Sequence, residues 1–153
     1  MGELSGGAIA RDCGVQSSGF PLLKSVVSLS LDGCRLPKGA TACIARHVND
    51  LTTLRTLSLS RNDFEAMDVL LGASLSALRG ITHLYLHRCR ISAATLVPLV
   101  LLELLVALDV SCNSLGDAGA RNLAALYASA PGLRDVSLND CQVATVASLA
   151  TLW

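Results

Sequence analysis

The 153-residue chain carries twelve basic and twelve acidic side chains, so its formal net charge is zero. That balance offers no basic excess for nucleic acid and no run of like charge that would mark a tail. Only 16% of residues are charged and the mean hydropathy is +0.53, so part of the outer surface is expected to be covered by a neighbouring molecule.

The length suffices for one domain with a continuous core. The first twenty residues lack the basic start and apolar core of a secretory signal. Gly6 stands where a myristoylation motif needs Ser or Thr. The most apolar run, Leu96–Leu108, is shorter than a membrane span and is broken by Pro98 and Glu103. No membrane association is therefore expected.

In chain order, residues 1–21 are rich in Gly and Ser and read as a mobile end. Leu4-Ser-Gly-Gly-Ala-Ile-Ala-Arg also echoes Leu115-Gly-Asp-Ala-Gly-Ala-Arg. On that alternative, Leu4 closes a partial upstream repeat, and Ala8–Val15 is a helix covering the next repeat's core edge.

A repeating frame then fills residues 22–153, with repeats starting at 26, 54, 81, 105 and 133. The first has a half-buried strand at Ser28–Asp32, where leucines alternate with polar residues. Cys34 and Leu36 turn the chain, and Ala40–Val48 reads as a helix with Ile44, Ala45 and Val48 on one face. The second has a strand at Thr56–Ser60 and a helix from about residue 65 to 78. Phe64, Met67, Leu71, Leu75 and Leu78 face the core there, as filler rather than a cofactor box.

The third repeat places a strand at His83–His87. Ala93–Leu104 follows as a helix that is apolar all round, with Pro98 tolerated near its first turn. Only one face can meet the core, so Leu96, Leu99 and Val100 are expected in an exposed apolar patch. In the fourth repeat Asp117 suits a helix N-cap, and Leu123 and Leu126 follow on the inner face. Pro131-Gly132 precedes the fifth, which has a strand at Asp135–Asn139 and a short apolar helix from about Ala144 to Trp153. A free array end normally carries a polar cap, so this end is expected to be continued or capped by another chain.

The five stretches Val26–Leu36, Leu54–Phe64, Ile81–Ile91, Leu105–Leu115 and Leu133–Val143 share one pattern, L-x-x-L-x-L-x-x-N-x-L. The polar slot at its ninth position holds Cys34, Asn62, Cys89, Asn113 and Cys141 in turn. The pattern is that of a leucine-rich repeat. The strand-plus-helix unit, the longer period, the Cys/Asn alternation and the run Leu115-Gly-Asp117-Ala-Gly119-Ala120…Leu123 resemble the ribonuclease-inhibitor-like class. The resemblance implies a five-repeat α/β solenoid forming a right-handed horseshoe arc, with a parallel sheet on its concave face and helices on its convex face. The third spacing, from 81 to 105, is shorter than the others, so the helical side is expected to be irregular there.

Six cysteines need not mean disulfides. Slot cysteines two repeats apart would sit about 10 Å apart, too far to bridge. They read as reduced, buried thiols, and the protein as intracellular and cytoplasmic.

Outward strand residues form columns across the sheet. His83, Tyr85, His87 and Arg88 concentrate at the centre with Arg61 beside them, and Asp109, Asp135 and Asp140 make one end acidic. Tyr and Arg together are the composition of a protein-binding hot spot, so Arg61, His83, Tyr85, His87, Arg88 and Asp109 are the candidate partner site. His83 and His87 lie about 13 Å apart along one strand, too far for one metal ion. No phosphate loop or oxyanion site is marked, so neither cofactor nor catalysis is expected. The resemblance implies protein partners. The chain is expected to be a scaffold or adaptor subunit of a larger assembly. The alternative is a free-standing recognition module: a ubiquitin-ligase substrate receptor, an inhibitor or a GTPase regulator.

Overall fold

A computed structural model describes residues 25–36, 51–65 and 67–144, together with the backbone of residues 3–5. The chain builds β1 (Glu3–Ser5), β2 (Ser28–Ser30), β3 (Thr56–Ser58), α1 (Asp68–Ser76), β4 (His83–Tyr85) and α2 (Ala93–Leu96). A 3-10 helix (Val97–Leu101), β5 (Ala107–Asp109), α3 (Gly116–Ser129) and β6 (Asp135–Ser137) follow. All six strands pair in parallel, in chain order, as one sheet.

The register aligns Leu29, Leu57, Leu84, Leu108 and Val136 as consecutive partners. A parallel neighbour requires a crossover, and the helical segments after β3, β4 and β5 supply it. Leu29, Leu57, Leu84 and Leu108 are buried, as are Leu31, Leu59, Leu86 and Val110 two residues on. Each buried leucine contributes roughly 1.5–3 kcal/mol. One repeat cannot bury both faces of such a row; its neighbours complete the job.

Leu4 pairs opposite Leu29, so it takes the fourth position of the frame and not the closing eleventh position its sequence echo suggests. The echo aligns side-chain types, whereas parallel pairing aligns backbone. The segment Ala8–Val15, the helix expected at Ala40–Val48 and residues 145–153 of the last helix lie outside the described residues.

The polar slot explains why the coils stay in register. Asn62 Nδ2 donates to the Leu31 carbonyl of the preceding repeat at 2.9 Å and to its own Leu59 carbonyl at 2.8 Å. Asn113 repeats this with Leu86 and Val110, both at 2.8 Å. Cys89 and Cys141 send their thiols to the same carbonyls, Leu59 and Val110, at 3.2 Å. The carboxamide also accepts, and more strongly than a thiol sulfur does. Asn113 Oδ1 takes the N–H groups of Cys89 at 2.9 Å and Ile91 at 3.2 Å, and Asn62 Oδ1 takes that of Leu36 at 3.2 Å.

This one-sided ability shapes the loops. The residue after each slot cysteine has positive φ: Arg35 at 48°, Arg90 at 56° and Gln142 at 58°. The residues after the slot asparagines, Asp63 and Ser114, do not. The left-handed turn at Arg90 aims the two flanking N–H groups at one acceptor, which the next repeat's asparagine provides. In the asparagine repeats the exit N–H goes instead to a backbone carbonyl: Phe64 to Cys89 and Gly116 to Cys141, each at 3.0 Å. The Cys/Asn alternation is thus a physical dependence between neighbours.

The third repeat departs from an α-helix. Leu96, Leu99 and Leu102 are wholly buried, as is Leu105 after them. Their three-residue spacing is the period of a 3-10 helix, which has 3.0 residues per turn. Its rise of about 2.0 Å per residue, against about 1.5 Å in an α-helix, spans the repeat with fewer residues. Leu96 and Leu99 are therefore core residues and not part of an exposed patch, and Val100 is half-buried. Val97 and Leu101, at the two ends of the 3-10 helix, and Leu104 after it are the exposed apolar side chains instead, at 56%, 40% and 59% exposure.

Asp117 is not an N-cap. It lies inside the first turn of α3, where a carboxylate suits the helix dipole, and Oδ1 accepts from the Ala144 N–H at 3.0 Å. Ser92 does cap α2, accepting from the Ala94 N–H at 3.3 Å while its own hydroxyl donates to Asp68. Side chains thus stitch the helical side as well.

Gly72 of α1 faces the start of the next repeat. A Cβ there would overlap the Thr95 carbonyl oxygen and lie 2.9 Å from Pro98 Cγ. Gly72→Ala is expected to destabilise the fold by about 1–3 kcal/mol, because a backbone carbonyl cannot step aside. Denaturant unfolding of the two proteins measures this; an unchanged midpoint would remove the close approach.

Candidate functional site

Among the described residues, the outward side chains of the strands and the turns after them line open clefts, three of which hold the sequence candidates. The first, of about 480 Å³, is lined by Asp32, Ser58, Ser60, Arg61, Tyr85, His87 and Asp109. The second, of about 580 Å³, lies toward β6, between His83, Tyr85, Asp109, Arg134 and Asp135. Tyr85 and Asp109 border both. The sequence candidates Arg61, Tyr85, His87 and Asp109 therefore meet in one place, and His83 joins them next door. Arg88 does not; it lines a third cleft, of about 400 Å³, with Arg35, Arg61, Asp63 and Arg90.

Strand alternation puts His83 and Tyr85 on one face, and the following turn presents His87. Tyr85, His83, His87 and Asp109 are each half-buried, while Arg61 and Arg88 are exposed. Polar side chains lock much of this floor. Asp32 Oδ1 accepts the Ser58 hydroxyl at 2.5 Å and the Ser60 N–H at 2.8 Å. Asp109 Oδ1 accepts the Ser111 hydroxyl at 2.5 Å and its N–H at 2.9 Å. His87 Nδ1 lies 2.9 Å from the Ser111 hydroxyl oxygen.

Proton counting fixes the sense of that last contact. Ser111 has one hydroxyl proton and gives it to Asp109, so Ser111 Oγ accepts from His87 Nδ1–H. A histidine that donates to a serine does not activate it as a nucleophile. The Asp109–Ser111–His87 chain holds the imidazole in place and leaves Nε2 as a polar contact for a ligand. Among the described residues, no three of His, Cys, Asp and Glu converge to hold a metal ion.

Arg90 is paired: Nη1 reaches Asp63 at 2.8 Å and Nη2 reaches Glu65 at 2.9 Å. The hydrogen bond it donates to Asp63, then the charges of Asp63 and Glu65, hold its pKa above the usual arginine value. The sequence columns overlooked Arg35 and Arg90. Both follow a slot cysteine, and the turn that brings them to Arg61 and Arg88 is invisible in a column of strand residues.

Burial raises the Cys89 thiol to about 12, against opposing hydrogen bonds from the backbone of Asn62 and Arg61. Burial raises Cys141 in the same direction. Both are neutral donors inside the slot and poor nucleophiles.

A family model described as Leucine Rich repeat matches residues 50–66 and 103–124, which span β3 with its turn and β5 through the first half of α3. No curated protein matches the chain. Such repeats generally mediate protein–protein interaction, and proteins built from them are typically not enzymes.

The thiols give a pH prediction. A folded pKa raised from 9.0 to about 12 means that the unfolded chain loses the Cys89 proton first. The stability this proton confers is intact below about pH 9 and is lost progressively as pH rises through the folded value. From about pH 8 to about pH 10.5 the melting midpoint of the parent protein should fall more than that of Cys89→Ala. Parallel slopes in the two melting series would contradict the buried, neutral thiol.

Proposed function

We propose that this leucine-rich repeat protein is a non-enzymatic scaffold or adaptor subunit of a larger assembly, holding a protein partner on its sheet face. The observation that carries the reading is the first cleft. Tyr85, His87 and Asp109 stand half-buried around one open hollow, with Arg61 at its rim. An aromatic anchor flanked by arginine on a rigid floor is the make-up of a binding hot spot. The hydrogen bonds of Asp32 and Asp109 to the serines beside them keep that floor ordered before any partner arrives, which lowers the entropy lost on binding.

The finer architecture belongs to the same proposal. Three repeat spacings of 27 or 28, in-register leucines and the Cys/Asn alternation support a right-handed horseshoe arc of the ribonuclease-inhibitor-like class, with the sheet concave and the helices convex. Val69 and Leu70 of α1, with Val97, Leu101 and Leu104 of the next repeat, are exposed on the helical side. Those side chains favour a subunit over a free-standing receptor, because isolated proteins rarely leave large apolar patches in water. Neutral slot thiols suit a reducing intracellular compartment, the cytoplasm in this reading.

Affinity isolation of the tagged chain from its source cell, followed by identification of the bound proteins, tests the assignment. Tyr85→Ala combined with His87→Ala should lower recovery of the principal partner by about tenfold or more at unchanged melting temperature. Recovery of the same partners at the same yield would overturn it.

A further inference from the structure

We propose that the cleft between Arg35, Arg61 and Arg88 receives a phosphoryl group carried by a serine or threonine of the protein partner. The inference rests on the sheet-face reading, since Arg61 borders both this cleft and the Tyr85 hollow. A segment lying across Tyr85 and His87 therefore has the arginine cleft beside it.

Three observations carry it. The first is unbalanced charge. Asp63 and Glu65 are both spent on Arg90. Among the described residues, the side chains of Arg35, Arg61 and Arg88 make no hydrogen bond or ion pair, and all three open into one hollow of about 400 Å³. In a chain of zero net charge, this is a local excess of cations.

The second is backbone conformation. Arg35, Arg61 and Arg88 have φ of 48°, 59° and 52°. Gly33, at the frame position that Arg61 and Arg88 occupy in their own repeats, has φ of 62°. The turn demands the left-handed region, which glycine enters freely and arginine enters at a cost. Arginine is the dearer choice for folding at all three places, so a use for the guanidinium accounts for it.

The third is stoichiometry. One guanidinium fork satisfies one carboxylate. Three forks at one hollow match a group with more oxygens and more charge. A phosphate monoester, with three terminal oxygens and a charge of about −1.5 to −2, is that group. The cleft has no aromatic lining residue on which a base could stack, so a nucleic-acid strand fits it less well.

The test uses the full chain, labelled with 15N, and three capped peptides: Gly-Gly-X-Gly-Gly with X as phosphoserine, glutamate or serine. The phosphoserine peptide should shift the side-chain Nε–Hε signals of Arg35, Arg61 and Arg88 saturably, binding about tenfold or more tightly than the glutamate peptide. The serine peptide should leave them in place. Arg61→Gln and Arg88→Gln should each weaken phosphopeptide binding about fivefold or more, and Arg61→Lys should recover only part of the loss, because lysine lacks the fork. If Arg61→Gln does not fold, Arg35→Gln supplies the same reading from an exposed side chain with no partner to lose. Equal affinity for the glutamate peptide would overturn the proposal. So would variants that bind like the parent, or tighter binding to phosphatidylinositol-phosphate vesicles or to oligouridylate than to the phosphopeptide. A partner lost with Tyr85→Ala, together with a silent phosphopeptide titration, would remove this inference alone and leave the sheet-face reading standing.

Discussion

One carboxamide hung between two coils holds the array to its register. Asn113 sits where the fourth repeat turns out of its strand, and its side chain bonds backbone groups of its own repeat and of the one before. Asn62 does the same one step earlier in the stack. Aliphatic burial supplies most of the favourable free energy but is non-directional, and a slip of two residues would keep leucines on the core face. Buried backbone groups do not, because each N–H and C=O left unpaired costs free energy. Among the described residues, every buried side-chain nitrogen and oxygen has a partner. The slot converts a greasy stack into a specified one.

The same turn shapes the sheet face and its rim. The residue before each slot is forced to positive φ in every repeat: Gly33, Arg61, Arg88, Cys112 and Asp140. The conformation is uniform, but the side chains run from none, through two arginines, to a carboxylate. The sheet face thus changes sign along its length while its backbone barely changes. A repeat fold lets chemistry vary at a fixed geometry, which is why the site is argued from its residues and not from the fold.

The rows of the core were legible because the two-residue alternation of the strand puts the fourth and sixth positions of every frame on one face. Leu29, Leu57, Leu84 and Leu108 are aligned as the spacing requires. The helical side was less so. A segment apolar all round does not show which of its side chains meet the core: Leu96, Leu99 and Leu102, three residues apart, are buried, and Val97, Leu101 and Leu104 are left outward. Asp117 looks like a cap, yet its carboxylate reaches the next repeat. At the site, the grouping of Tyr85, His87 and Asp109 follows from alternation along the strands. The approach of Arg35 to Arg61 and Arg88 depends on left-handed residues, which no alternation pattern reveals.

Denaturant unfolding of Asn113→Ala tests the slot most directly. The substitution leaves the Cys89 and Ile91 N–H groups without their acceptor and opens a polar void between two repeats. At roughly 1–3 kcal/mol for each orphaned group, the protein should lose about 3 kcal/mol or more of stability. A loss under about 0.5 kcal/mol, the range of an ordinary surface substitution, would contradict the central role given to this carboxamide.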